Sequence, residues 1–304
     1  MSAPGVASGT AASSRLRLLL TGAGGQVGSA VRQRAPAEAT LVAMDSGMLD
    51  ITDAHAVRAA VAAAKPDVVL NAAAYTAVDR AESEAERAFS VNRDGPAHLA
   101  AASRAQGARI IHLSTDFVFD GAQGAPYGAD APCRPINTYG ASKRAGEEAV
   151  QKEAGDTALI MRTSWVYAAR GHNFVLTMLR LLRERPEVRV VTDQVGSPTW
   201  ATSLADALWG AACRADLSGI HHWTDAGVAS WYDFAVAIQE ESVALGLLSR
   251  SVPVLAIASR DLPLPARRPA FSVLDTSPTT RALGMTPAHW RVNLRRMLHE
   301  LHAA

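Results

Sequence analysis

The sequence predicts an α/β fold: a doubly wound parallel sheet with a smaller C-terminal substrate-binding lobe. Three observations point there. Nearly continuous apolar runs recur through the first half of the 304-residue chain, separated by alanine-rich stretches of helical character. Strands buried on both faces read as unbroken apolar runs, and the helices between them cover those faces. The first run ends in the glycine cluster "TGAGGQVG", and the regular alternation loosens after about residue 167.

The opening run "RLRLLL" (15–20), the glycine turn and the helical stretch behind it form the first half of a βαβ unit. Further strands are expected in "TLVAMD" (40–45), "PDVVLNAAA" (66–74), "RIIHLST" (109–115) and "TALIMRTSWVY" (157–167), with helices over 54–64, 83–106 and 138–153. Beyond them come a helix at 172–184, a strand at 188–191, the loop "TDQVGSPTWATSLADAL" and a proline-rich segment at 253–269. No Ser/Gly linker divides the halves. Residues 15–167, with later returning segments, are therefore expected to form the nucleotide-binding part, and 168–304 mainly a discontinuous lobe, with substrate between them. The opening "MSAPGVASGTAASS" (1–14) is expected to be a disordered tail.

With 48% hydrophobic and 19% charged residues, the chain can bury a full core. Its 30 Lys and Arg against 29 Asp and Glu give no global field for nucleic acid or an acidic membrane. The basic runs "ARRP" (266–269) and "RVNLRRML" (291–298) are short and read as a loop and a final amphipathic helix. No apolar run reaches the length of a signal-peptide core or a membrane span. Cys133 and Cys213 stand far apart, without CxxC spacing or a histidine cluster, which argues against zinc or a disulfide framework and suits a cytoplasmic protein.

Gly22, Gly25 and Gly28 form GxxGxxG directly behind the first strand, with Gln26 and Val27 inside the triplet. Alone, such a triplet is a weak signal; its position makes it informative. Backbone approaches a pyrophosphate at a helix N-terminus only where side chains are absent, and the helix dipole favours the anion. This reads as a dinucleotide site of Rossmann type. Asp45 closes the second strand, where an acid accepts hydrogen bonds from the adenosine ribose, and "LDITD" offers Asp50 and Ile51 as further contacts. Capping of its own turn is the competing reading of Asp45. No arginine directly follows it to neutralise a 2′-phosphate, so the placement points to NADH and leaves NADPH open.

Ser114 and Thr115 end the fourth strand, at the edge where open α/β sheets place their chemistry. Tyr139 follows 24 residues after Thr115, and Lys143 lies four further on, one turn along the same helical face. Hydride delivered to a carbonyl carbon leaves an alkoxide, which needs a neighbouring proton donor. A free tyrosine, with a pKa of about 10, is a reluctant participant near neutrality. An adjacent ammonium stabilises the phenolate and can hold the nicotinamide ribose, so Lys143 is expected to tune Tyr139 while Thr115 hydrogen-bonds the substrate oxygen.

The segments "TGAGGQVG", "NAAAYTAVDRAE", "STDFVFDG", "YGASKRAGE" and "RTSWVYAARGHNF", with "TDQVGSPT" and "RRPAFSVLDT" further on, resemble the dTDP-4-dehydrorhamnose reductases, a family of extended short-chain dehydrogenase/reductases. The resemblance runs from about residue 16 to the last helix. It implies NADPH- or NADH-dependent reduction of the 4-keto group of dTDP-4-dehydro-6-deoxy-L-mannose to dTDP-L-rhamnose, for cell-surface polysaccharide. It further implies that Thr115, Tyr139 and Lys143 are the catalytic triad and that Asn71, Ala72 and Ala73 line the cofactor. Asp116, Phe117 and Trp165 would face the sugar, an indole wall suiting the methyl-bearing face of a deoxysugar. A core aromatic is the competing reading of Trp165. Arg268, or its neighbour Arg267, would meet the nucleotide diphosphate, for which a guanidinium fork is suited.

Two departures from that family stand out. Phe117 replaces a frequent tyrosine, keeping the ring and dropping a hydroxyl. Ala30 and Arg291 stand where some members carry glutamates that hold magnesium between subunits, so no metal is expected and a homodimer would lack that bridge. Two other readings stay open, a different nucleotide-sugar reductase or epimerase of the same fold, and a non-catalytic regulatory subunit.

Overall fold

The computed structural model describes residues 15–303, and the tail expected at 1–14 lies outside the described residues. Its centre is a sheet of six parallel strands. Five of them are β1 (Arg17–Thr21), β2 (Thr40–Met44), β3 (Val68–Asn71), β4 (Arg109–Thr115) and β5 (Ala158–Thr163); the sixth, Gly219–His222, pairs with β5. The spatial order is β2-β1-β3-β4-β5, then Gly219–His222. After β2 the chain crosses back over β1 and lays β3 on its other side. The C-terminal ends of β1 and β3 therefore part, opening the crevice in which such sheets bind ligands.

Side chains alternate between two dry faces. Leu18, Leu20, Leu70 and Ile111 pack with Leu204 and Leu208 of helix α8 (Ala201–Ala212). Leu19, Val69 and Ile110 pack on the opposite face with Val57, Val61 and Leu99. Each such side chain contributes about 1.5–3 kcal/mol by leaving water.

The helices on these faces begin where the sequence supplies a cap. Helix α1 (Gln26–Gln33) starts on the glycine loop. Helix α2 (Ala54–Ala64) is capped by Asp53, whose carboxylate accepts from the His55 and Ala56 amides, and ends at Lys65 with a left-handed φ of 44° before Pro66. The helix expected over 83–106 runs without a break from Ala85 to Ala105 but is wound wider at its middle. After α3 (Val78–Ala81), α4 (Ala85–Phe89) passes through a π-helical turn at Ser90–Asp94 before α5 (Gly95–Ala105). The wide turn points Asn92 inward, where its side chain accepts from the Tyr75 amide at 2.8 Å and donates to the Tyr75 carbonyl at 3.0 Å and to Ser142 at 2.9 Å. Helix α6 (Thr138–Ala154) follows β4.

Two expected strands are shorter than their apolar runs. The run at 66–74 stops being strand at Asn71, whose side-chain oxygen accepts from the Ala73 amide at 3.0 Å and bends the chain away. The run at 157–167 splits into β5 and a short strand Val166–Tyr167. Between them Trp165 takes a left-handed φ of 48° and lays its indole flat on Trp231, with centroids 3.5 Å apart.

The C-terminal lobe has its own core, built from α7 (Phe174–Glu184), α9 (Trp231–Ala244) and the final helix Trp290–His302 around Val175, Leu179, Phe234 and Leu294. The proline-rich segment holds a strand, Val254–Ile257, paired with Val188–Val191. Among the described residues no helix is long and apolar enough to cross a membrane.

Candidate active site

Thr115 ends β4, and Tyr139 and Lys143 stand one turn apart on α6. Strand end and helix thus bring all three to one cavity of about 730 Å³, which Asp116, Thr163, Trp165 and Arg268 also line. The start of α6 is held on both sides. Asn137 accepts from the Gly140 amide at 2.7 Å and donates to the Arg267 carbonyl at 2.7 Å, while the Thr138 amide and hydroxyl donate to Glu82 at 2.8 and 3.0 Å. Gly140 lets α6 approach the turn after β4, since a Cβ there would lie 2.1 Å from the Phe117 carbonyl oxygen.

The electrostatics follow from depth. Tyr139 keeps part of its surface open to the cavity yet lies deep in the protein, and that burial pushes its phenol up to about 12, with the Thr115 hydroxyl pulling the other way and Asp116 adding to the rise. Burial brings Lys143 down to about 8, opposed by Glu147. The Tyr139 phenol thus stands above its ordinary value, where the lowering expected from Lys143 would put it below. The lysine amine donates one proton to the Leu113 carbonyl at 2.6 Å, and besides burial the groups that act on the phenol are Thr115 and Asp116. Burial raises Asp116 to about 6. Its Oδ1 accepts from the Thr115 hydroxyl at 3.0 Å, whereas Oδ2 finds no partner among the described residues, the Ser272 hydroxyl lying nearby but outside hydrogen-bonding geometry. The Thr163 hydroxyl is likewise buried and unpartnered. Two such atoms in one cavity fit a ligand rich in hydroxyls.

A second cavity, of about 1020 Å³, is lined by Gly22, Gly25, Asp45, Asp50, Ile51, Ala72 and Ala73, and shares Gly25 and residues 72–74 with the first. Its floor is backbone. A Cβ on Gly22 (φ 72°) would come 2.5 Å from the Ala73 amide nitrogen, and one on Gly28 would come 2.1 Å from the Gly22 oxygen. A long cradle with the start of α1 at its middle fits a dinucleotide. Asp45 both lines this cavity and caps its turn, Oδ1 accepting from Gly47 at 2.9 Å and Met48 at 3.1 Å. Asp50 accepts from the Thr52 amide and hydroxyl at 2.9 and 2.8 Å. Val27 lines the smaller cavity, and Gln26 ties the loop to the lobe, donating to the His172 carbonyl at 3.3 Å and accepting from Asn173 at 2.9 Å.

With this geometry, the family described as RmlD substrate binding domain matches residues 16–303. The chain belongs to that family. It is 46% identical over 289 residues to a dTDP-4-dehydrorhamnose reductase of Streptomyces griseus, covering 92% of this chain and 92% of the relative. It is 43% identical over 289 residues to one of Burkholderia thailandensis, covering 91% of this chain and 96% of the relative. The crystal structure of a dTDP-4-dehydrorhamnose reductase from Bacillus anthracis in complex with NADP is similar with a TM-score of 0.88 at 35% identity, covering 94% of this chain and 99% of that one.

The other residues that the resemblance singles out sit as follows. Asn71 is fully buried and braces the end of β3 instead of lining a cavity, accepting from Thr21 at 2.8 Å as well as from Ala73. Phe117 meets the Tyr139 ring edge-on at 5.7 Å and supports the phenol rather than lining the sugar cavity. The Arg268 fork lines that cavity but is bound to Asp79, and Arg267 is exposed. Ala30 is buried in the core, and Arg291 pairs with Glu240 and Glu241 of its own chain.

Sequence reasoning missed His112, Asp79 and the fully buried pair Arg162–Glu147, joined at 2.7 and 2.8 Å. The signal for His112 and Arg162 was present. Each interrupts an apolar run, "RIIHLST" and "TALIMRT", in a strand buried on both faces.

Proposed function

We propose that the protein reduces the 4-keto group of dTDP-4-dehydro-6-deoxy-L-mannose with NADPH or NADH, giving dTDP-L-rhamnose for cell-surface polysaccharide. The observation that carries this is the meeting of Thr115, Tyr139 and Lys143 in a cavity continuous with the glycine-floored cradle. When bound, the reduced nicotinamide supplies hydride to the carbonyl carbon. Loop amides at the start of α1 would hold its pyrophosphate, and Asp45 the adenosine ribose.

Tyr139 donates the proton as charge develops on the sugar oxygen. A phenol held up near 12 stays protonated through the neutral range, so the donor is in its working form. The Thr115 hydroxyl, which donates to Asp116 in this structure, turns its one proton to the same oxygen and orients the carbonyl toward the phenol. Lys143, one turn along, supplies positive charge to the developing phenolate once the proton has left. Asp116 and Thr163 offer their unpartnered oxygens to the sugar hydroxyls, and Trp165, braced by Trp231, walls the apolar face. Residues 15–167 with the returning segments act as the dinucleotide-binding part, and most of 168–304 as the substrate lobe. The free cysteines Cys133 and Cys213 suit a reducing, cytoplasmic setting.

The test is absorbance at the reduced-nicotinamide band when purified protein, the keto sugar and either nucleotide are mixed. Oxidation that requires the sugar supports the reductase reading. Cofactor binding without sugar-dependent oxidation counts against it and moves the weight to a different keto sugar or a regulatory role.

A further inference from the structure

His112 lies in the middle of β4, fully buried, and takes no part in the steps above. Its neighbours fix where its proton sits. Asn71 Oδ1 accepts from the Ala73 backbone amide at 3.0 Å and from the Thr21 hydroxyl at 2.8 Å. A backbone N–H can only donate, so the side-chain amide cannot be turned over. Asn71 Nδ2 must then donate to His112 Nδ1, 3.0 Å away. With Nδ1 as acceptor the ring is neutral and its one proton is on Nε2. Burial and the neighbouring Lys143 both act against a second proton. Nε2 faces Lys143 Nζ across 3.5 Å, and that amine already donates to the Leu113 carbonyl. An N–H aimed at an ammonium meets another donor; aimed at a neutral amine it meets a lone pair.

We propose that His112 is a positioning residue: held by Asn71 as the Nε2–H tautomer, it favours the neutral amine of Lys143 and so sets the pH at which the Tyr139–Lys143 pair releases its proton. The consequence for turnover rests on the reductase reading, whereas the tautomer does not. Burial itself lowers Lys143, and the His112 N–H adds to that bias, whereas the charged groups around the pair do not. Glu147, one turn along α6, favours the ammonium, and its carboxylate is bound by Arg162. Asp116, at the end of β4, acts on Tyr139. From β3 and β1, Asn71 and Thr21 are uncharged, and Gly146 of α6, whose Cβ would lie 3.6 Å from Nε2, brings no charge.

The chain has three lysines, Lys65, Lys143 and Lys152, of which the first and last are exposed. In the full-length protein labelled with ε-15N-lysine, side-chain nitrogen NMR therefore follows Lys143 against two internal references. Lys143 is expected to titrate at least about one pH unit below the other two. Titration together with them overturns the proposal. His112→Gln replaces the fixed N–H with an amide whose oxygen can accept from the ammonium, and the Lys143 midpoint should rise by about one pH unit or more. The alkaline limb of kcat for sugar reduction should move by the same amount. A folded His112→Gln protein with an unmoved Lys143 midpoint overturns the proposal. If that variant does not fold, Asn71→Asp serves instead: its carboxylate takes the Nδ1–H, Nε2 becomes an acceptor, and the midpoint should again rise, with no shift overturning the idea. A midpoint shift in a protein that never oxidises cofactor with the sugar supports the tautomer and refutes the reductase reading, so the two failures are distinguishable.

Discussion

Arg268 and Asp79 meet fork to fork in the wall of the reaction cavity, Nη1 to Oδ1 and Nη2 to Oδ2, each at 2.6 Å. The pairing joins helix α3 to the C-terminal segment, and Arg268 holds the Asp79 carboxyl below the usual carboxylate range. A guanidinium fork fits a diphosphate as well as a carboxylate, so a nucleotide diphosphate bound at Arg268, as the resemblance implies, would compete with Asp79 for it. Asp79→Asn weakens the competitor and should lower KM for the nucleotide sugar by roughly tenfold, whereas Arg268→Ala should raise KM by at least about tenfold with kcat little changed. Steady-state kinetics with varied sugar check both directions.

Glu147 and Arg162 form an ion pair with neither side chain exposed, pinning α6, which carries Tyr139 and Lys143, to β5. Burial alone would raise the Glu147 carboxyl, but Arg162 outweighs it and holds the group below its ordinary value. The folded form therefore binds this proton less tightly than the unfolded chain. Its contribution to stability is present above the ordinary glutamate range and is lost as pH falls through the depressed value. Glu147→Gln leaves a buried guanidinium uncompensated and should cost about 3–5 kcal/mol in urea unfolding at neutral pH.

Asp116 shows the opposite sign. Raised by burial from 3.8 to about 6, it binds its proton more tightly in the folded protein, so stability falls as pH rises across that interval. The loss amounts to about 3 kcal/mol at most. Asp116→Asn should flatten the stability profile between about pH 4 and 6, read from urea midpoints at several pH values.

With the adenosine ribose held by Asp45 as proposed, a 2′-phosphate would bring negative charge against it. Asp45→Ala should raise the ratio of NADPH to NADH in kcat/KM by roughly tenfold or more, since like charges in contact cost several kcal/mol. Its turn should slacken at the same time, because the Gly47 and Met48 amides lose their acceptor.

Much of the fold was legible where a local signal coincided with the tertiary outcome. Helix α2 runs over 54–64 as expected because Asp53 caps it and Pro66 follows its end, and β4 fills 109–115 because every position after the first is buried. The grouping of Thr115, Tyr139 and Lys143 was legible for the same reason, a strand end followed by helical spacing. What escaped depends on partners distant in the chain. Arg268 meets Asp79 across 189 positions, and the His112 tautomer is set by Asn71, 41 positions away. Trp165 leaves the strand only because Trp231 is there to receive it, and the π turn at Asn92 is wound for the Tyr75 backbone. No periodicity within either segment encodes these partners.

Proton donation by Tyr139 is tested most directly by Tyr139→Phe, which removes the hydroxyl and keeps the ring against Phe117. NADPH binding, followed by fluorescence titration, should stay within about twofold of wild type, while sugar-dependent oxidation falls by about 100- to 10,000-fold. Sugar-dependent turnover within a few-fold of wild type would contradict Tyr139 as the donor.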